Sequence, residues 1–320
     1  MHIIEEADIR HLTTLRVGGK ADKLFIPSTP EELISLILQL QEQRIKWSML
    51  GGGSNVLVSS RGVRGAVIST TSLNWVNKVS TDSVVIGAGV RMPKLAGELA
   101  HMGLSGCEFM EGIPGTIGGA IVMNAGAHGE WTSNVLEKIT VFDTKTGQVL
   151  NFPSSHFQFG YRTSNINPTR YVVLEAKFRL KDGMPEQILD KMKQYSRHRS
   201  SSQPKGFSSG CIFRNPSTAL PAGKLIDEMG FKGNRIGGAE ISNIHANFIM
   251  NAHEASSDQI CSLINRVQTS AWQSKGVWLE PEVYGLGEFT DDEKVIWLHP
   301  QQREKVIELY NDQILLGRVS

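Results

Sequence analysis

Leu50-Gly51-Gly52-Gly53-Ser54-Asn55-Val56-Leu57-Val58 is a glycine-rich turn feeding a strand. Glycines without side chains let backbone N–H groups converge on an anion, and Ser54 and Asn55 add side-chain hydrogen bonds. The stretch fits neither GxGxxG nor GxxxxGK[ST]: no GK[ST] follows, and no helical pattern opens after it. Three glycines alone are equally an ordinary turn. A second segment strengthens the phosphate reading. Gly106-Cys107-Glu108-Phe109-Met110-Glu111-Gly112-Ile113-Pro114-Gly115-Thr116-Ile117-Gly118-Gly119-Ala120 runs on through Asn124 to Gly129. Backbone of such small residues can lie flat against a large planar group and still donate N–H groups to phosphates. On composition alone, a glycine-rich core crossover competes with that reading.

The rest of the chain bounds the possibilities. Its 320 residues suffice for two or three compact domains, each with its own core. No apolar run approaches the roughly 18 residues that span a bilayer. Met1 to Glu6 has no basic region followed by an apolar stretch, so no export signal is expected. Lys and Arg total 33 against 32 Asp and Glu, a net charge of +1 without a long run of one sign. No nucleic-acid surface is expected, and an anionic ligand must be held by local groups. Cys107, Cys211 and Cys261 are sparse, odd in number and without a CxxC pair. That argues against a disulfide framework or structural zinc and fits a reducing cytoplasm; no metal site is expected.

Local patterns predict helices and strands. Thr29 reads as an N-cap, with Pro30 in the first turn, Glu32 three residues on and an apolar set from Leu33 to Leu40. Met92 to His101 predicts a short helix that Gly103 ends, and Pro185 to His198 another. Ile260, Leu263, Ile264, Val267 and Ala271 fall at helical spacing, capped by Ser256 or Ser257. Strands are expected at Asn55 to Val58, Ala66 to Ser69, Ser83 to Gly87, Lys138 to Phe142 and Tyr171 to Leu180. Early interleaving and a strand-rich middle predict an α+β protein of several mixed sheets. Arg199 to Pro204 reads as a linker between front and back.

The two glycine segments, together with Thr13-Thr14-Leu15-Arg16-Val17-Gly18-Gly19, resemble the flavin-binding half of the UDP-N-acetylenolpyruvoylglucosamine reductase (UDP-N-acetylmuramate dehydrogenase) family. The resemblance spans roughly Leu12 to Gly287. It implies an FAD-binding α+β flavoprotein fold of two subdomains, at 1–65 and 66–200, with a C-terminal α/β substrate domain at 201–290 and a tail of unassigned role at 291–320. Gly51, Gly52, Gly53, Ser54 and Asn55, with Gly112, Ile113, Pro114, Gly115, Thr116, Gly118, Gly119 and Ala120, are its implied FAD contacts. The short segment from Asn165 to Tyr171 matches the subclass without a tyrosine-bearing loop insertion. Within the tail, Gln301 to Leu316 is expected to be helical.

Three further motifs bear on chemistry. In Tyr161-Arg162-Thr163-Ser164 the family pattern assigns Arg162 to the substrate carboxylate; taken alone, the pair reads as a surface strand end. Guanidinium suits the task, because its planar donors can grip a carboxylate and developing negative charge. In Gly210-Cys211-Ile212-Phe213-Arg214-Asn215-Pro216 the family has a serine as proton donor where Cys211 stands, and commonly a lysine where Arg214 stands. A thiol with a reference pKa of about 8.5 is mostly protonated at neutral pH and can still donate. The alternatives are a merely packed Cys211 or another donor; Ser208 and Ser209 are near but out of register. Glu280-Pro281-Glu282 offers two carboxyls that an extended backbone would turn to one side, and the resemblance selects Glu282. Tyr161, Arg214 and Asn215 are implied substrate contacts; His245 is as readily a packed histidine.

The implied reaction is NADPH-driven reduction of UDP-N-acetylglucosamine enolpyruvate to UDP-N-acetylmuramate, in peptidoglycan precursor synthesis. The partners expected are that UDP-sugar enolpyruvate and NADPH, in a cytoplasmic monomer or weak oligomer, with neither nucleic acid nor membrane. The rival readings are a flavin oxidase on the same fold and a non-catalytic flavin- or UDP-sugar-binding module.

Overall fold

The structure is a computed structural model that describes residues 1–303. Its first lobe is a four-stranded sheet in the order His2–Asp8, Lys20–Ile26, Val63–Ser69, Trp47–Leu50. The first pair is antiparallel and the other two are parallel. Parallel neighbours need a crossover, and the helix Pro30–Glu42 supplies one. Thr29 caps it by accepting the Glu32 N–H at 3.3 Å. Leu33, Leu36, Ile37 and Leu40 then pack on Phe25, Ala66 and Ile68.

The second lobe is a five-stranded antiparallel sheet ordered Gln148–Pro153, Leu136–Asp143, Tyr171–Arg179, Ser83–Gly87, Val76–Lys78. The helices Met92–His101, Ile117–Val122 and Pro185–Ser202 bury Leu95, Leu99, Ile121, Ile188 and Met192 in one cluster with its strands. The third unit is an antiparallel sheet, Ser208–Cys211, Phe248–Asn251, Ala239–Ile241, Arg235–Ile236, with the helices Ala222–Glu228 and Ser257–Lys275. Ser256 caps the last of these in a capping box with Gln259, and Gly276 ends it in the left-handed region, at φ 65°.

Two expected boundaries change. The division at 65/66 falls inside the strand Val63–Ser69, which belongs wholly to the first sheet, so that lobe runs on to Ser69. The expected linker from Arg199 begins as the last turn of an 18-residue helix that ends at Ser202. The chain turns extended only at Gln203, because the ring of Pro204 disfavours a helical residue before it.

The units are not threaded in simple succession. After the third, Tyr284–Leu286 returns to the first lobe and pairs in parallel with Val56–Val58, directly behind the GGGSN turn. Asp291–Lys294 is a further short helix, and Ile296 is buried in the third unit's core. The helix expected over Gln301–Leu316 lies, past Arg303, outside the described residues. No helix among the described residues is long and apolar enough to cross a membrane.

Candidate active site

A cavity of about 460 Å³ opens where the three units meet. Gly51 to Asn55 and Ile113 to Thr116, with Gly118, Gly119 and Ala120, form one wall. The two glycine segments touch: a side chain on Gly52 would meet Gly115 Cα at 2.7 Å, and one on Gly51 would meet Thr116 Oγ1 at 2.5 Å. Gly53 takes φ 59°, which bends the turn away from the strand path. Among the described residues, the backbone N–H groups of Gly51 to Asn55 make no hydrogen bond to a protein acceptor. The buried hydroxyl of Thr116 also lacks a partner. Donors left unspent in a side-chain-free cradle fit a dinucleotide's phosphates. Apolar Met92, Ile113, Val122, Ile166 and Val173 line the same cavity and offer surface for flat rings.

Arg162, Cys211 and Glu282 all line this cavity. Arg162 and Tyr161 are the two turn residues between the paired strands Phe159–Gly160 and Thr163–Ser164. Arg162 sits at φ 54°, a conformation costing about 1–2 kcal/mol in a residue with a Cβ. Two bonds brace the hairpin: Asn124 Nδ2 donates to the Gly160 carbonyl at 2.9 Å, and Ser164 Oγ to the Val122 carbonyl at 2.6 Å. Arg162 Nε lies 3.5 Å from Glu282 Oε1, too loosely aligned for a hydrogen bond, so this buried donor stays unspent.

Glu282 enters from a segment with one isolated bridge, Phe213 to Pro281, rather than a regular strand. The alternation expected of a strand therefore fails, and the two carboxyls separate. Glu280 is exposed and lies 3.6 Å from Arg214, whereas the Glu282 side chain is only 13% exposed. Burial pushes the Glu282 carboxyl above its ordinary range, against the pull of Arg162 and Arg214. The Glu282 N–H donates to the Ile212 carbonyl at 2.6 Å, and its carbonyl accepts from Asn55 Nδ2 at 2.9 Å.

Cys211 ends the strand Ser208–Cys211. Burial pushes its thiol up to about 11 with help from Glu282, while Arg162, Arg199 and a hydrogen bond from Asn247 pull the other way. It is therefore a protonated thiol facing two guanidinium groups. Buried Asn247 holds the neighbouring backbone at both ends, accepting the Phe213 N–H at 2.9 Å and donating to its carbonyl at 2.8 Å.

Several expected site residues sit elsewhere. Gly112 is outside the main cavity; it lets Arg199 approach, since a side chain there would meet Arg199 Cδ at 2.9 Å. Asn215 accepts the Ala222 N–H at 2.9 Å, at the start of a helix. Tyr161 is 46% exposed, edge-on to Trp131, with its hydroxyl at the Asn215 backbone. Arg214 points to Glu280. None of these three lines the cavity.

Arg199 escaped the sequence reading as a site residue and Ser209 was set aside as out of register, yet both line the cavity. Burial pulls the Arg199 guanidinium below its ordinary range, with Cys211 and Glu111 opposing. Its signal is the spacing Ile188, Met192, Tyr195, Arg199, one face of a helix that runs past the expected end at His198. Ser209 is buried, with a hydroxyl that has no partner.

Residues 21–152 match the FAD binding domain family, and residues 203–286 match the UDP-N-acetylenolpyruvoylglucosamine reductase C-terminal domain family. A Carboxydothermus hydrogenoformans UDP-N-acetylenolpyruvoylglucosamine reductase is 38% identical over 287 residues, covering 89% of this chain and 94% of its own. The protein of that name from Synechococcus sp. is 42% identical over 282 residues, covering 88% and 90%. The crystal structure of the Thermus caldophilus reductase superposes with a TM-score of 0.75 at 35% identity, over 89% of this chain and 98% of that one. The chain therefore belongs to the UDP-N-acetylenolpyruvoylglucosamine reductase family.

Proposed function

We propose that the chain reduces UDP-N-acetylglucosamine enolpyruvate to UDP-N-acetylmuramate with FAD and NADPH, in peptidoglycan precursor synthesis, using Arg162, Cys211 and Glu282. The observation that carries this reading is their convergence in the cavity that the two glycine segments wall. Gly51 to Asn55 and Ile113 to Thr116 would hold the dinucleotide. When bound, the flavin supplies hydride drawn from NADPH.

The chain's own groups then act on the enolpyruvyl unit. The substrate carboxylate takes the free donors of Arg162, which fixes the C2=C3 double bond in place. As C3 receives hydride, negative charge grows at C2 and the carboxylate. Arg162 stabilises that charge directly. Glu282 can do so only as a neutral donor, because a carboxylate there would repel it. Burial favours the neutral form, and the substrate's claim on Arg162 weakens the one close pairing that opposes it. Cys211 gives its proton to C2. The thiolate left behind faces Arg162 and Arg199 until solvent returns the proton. The substrate thus gains one hydride and one proton across C2=C3, while NADPH is oxidised to NADP⁺.

A cytoplasmic setting and a monomer or weak oligomer accompany this reading. The decisive experiment is anaerobic absorbance of the purified yellow protein. NADPH should bleach the flavin, and the enolpyruvyl sugar nucleotide should restore its colour. Rapid reoxidation by O₂ with no response to the sugar nucleotide would overturn the proposal.

A further inference from the structure

The segment Leu279 to Val283 is held at five carbonyls and amides by other parts of the chain, the Glu280 carbonyl by the Arg214 N–H at 2.9 Å. The Glu282 N–H and carbonyl go to Ile212 and Asn55. The Leu279 carbonyl accepts from Gln268 Nε2 at 2.9 Å, and the Val283 carbonyl from the indole Nε1–H of Trp297 at 2.9 Å. Trp297 differs from the others in origin, because it lies beyond residue 286, where the family match ends.

Trp297 is not a loose neighbour. Its ring lies against the backbone at Gly285, where a side chain would meet the indole at 2.7 Å, and Phe289 packs edge-on at 5.0 Å between centroids. The stretch that carries it is anchored to both the first lobe and the third unit. Glu293, 5% exposed, accepts from Arg61 of the first lobe at 2.5 Å and from Ser257 of the third unit at 3.1 Å. The Ile296 carbonyl accepts from the same Gln268 amide that holds Leu279, at 2.9 Å. The stretch after residue 288 is therefore a strap fixed to two units, and its indole grips the carbonyl adjoining Glu282.

We propose that Trp297 is a positioning residue for Glu282: through Val283 it fixes the depth at which that carboxyl enters the cavity. The inference rests on the role given to Glu282 in the proposed reaction. A segment released at Val283 lets the carboxyl swing toward water. Two consequences follow. The donor is misplaced from the developing charge, and its pKa falls back toward the ordinary carboxylic range as burial lessens. Flavin reduction, which does not use Glu282, is untouched.

The test compares Trp297→Phe, which removes the indole N–H and keeps an aromatic ring of smaller size, with the unaltered holoenzyme. The stopped-flow rate of flavin reoxidation by the enolpyruvyl sugar nucleotide should fall about 10-fold, as for a small displacement of a reacting group. Flavin content, the rate of reduction by NADPH and the KM for the sugar nucleotide should be unchanged. The high-pH limb of reoxidation should move to lower pH. Arg61→Gln, which frees the strap at the exposed end of its Glu293 pair, should move the same two quantities in the same direction. It also serves if Trp297→Phe does not fold. Reoxidation rate and pH limb identical to those of the unaltered protein would overturn the inference, as would equal loss in both half-reactions. If the unaltered protein does not respond to the sugar nucleotide, the proposed reaction itself fails, a result distinct from either.

Discussion

The side-chain amide of Asn55 donates to the backbone carbonyl of Glu282 at 2.9 Å, and the Asn55 carbonyl accepts the Tyr284 N–H at 3.1 Å. Asn55 thus holds the backbone on both sides of Val283, at Glu282, 227 positions away, and at Tyr284. The last residue of the turn proposed to cradle phosphates is also the clamp on the carboxyl proposed as catalytic. This couples the cofactor seat to the donor: the parallel pairing of Val56–Val58 with Tyr284–Leu286 starts at this clamp and sets how far Glu282 reaches.

Asn55→Ala should therefore harm more than cofactor binding. Losing a hydrogen bond to this part-buried carbonyl costs about 1 kcal/mol. With FAD added to saturation, reoxidation by the enolpyruvyl sugar nucleotide should remain slowed while reduction by NADPH recovers. Full recovery of both on adding FAD would show that Asn55 serves the cofactor alone.

Cys211→Ser should keep measurable turnover, because a hydroxyl at the same place can still donate. Cys211→Ala removes the proton, and general-acid catalysis is worth about 10²–10⁴-fold. Loss should fall on reoxidation by the sugar nucleotide, with flavin reduction nearly unaffected. Rapid-mixing absorbance separates the two steps, and equal losses would remove the donor assignment.

Burial also makes this thiol hard to ionise. Alkylation of Cys211, followed by mass mapping, should be slow at pH 7 and rise with a midpoint near 11. Cys107 and Cys261 are buried and pushed up as well, so they should react no sooner. Arg199 helps hold the Cys211 thiol down. Arg199→Gln should then shift the labelling midpoint higher and slow reoxidation, since the thiolate loses a countercharge. An unmoved midpoint would place Arg199 outside the thiol's field.

What the sequence revealed and what it hid follow one division. Local chemistry was legible: the Thr29 cap, the helix spacing through Ala271, and the turns in which glycine is needed. The motif residues that converge, Arg162, Cys211 and Glu282, were legible only through the family resemblance of their short patterns. Long-range pairing was not. Nothing near Asn55 announces Glu282, and nothing in Val295 to Leu298 announces Val283, because such contacts are set by how whole units close on one another. Arg199 was hidden for a different reason. A run of serines before a proline resembles a linker, yet the buried face set by Ile188 and Met192 carries the helix through it.

The Glu282 carboxyl gives the sharpest pH signature. Its native pKa is raised chiefly by burial, so the proton is held to higher pH than in the unfolded chain, where the ordinary value is about 4.3. The native state then binds more protons through that window, and this group's contribution to stability falls as pH rises across it. Catalysis shares the sign. If the neutral carboxyl is the donor, reoxidation by the sugar nucleotide is fastest below the raised pKa and declines above it, while Cys211 remains protonated to about 11 and does not set the limb. Glu282→Gln keeps a neutral donor, so it should retain part of the rate and lose the limb. Glu282→Ala should lose about 10²–10³-fold, the usual cost of deleting a group that stabilises developing charge. A glutamine variant that kept the wild-type pH limb would assign that titration to another residue and leave Glu282 without the donor role.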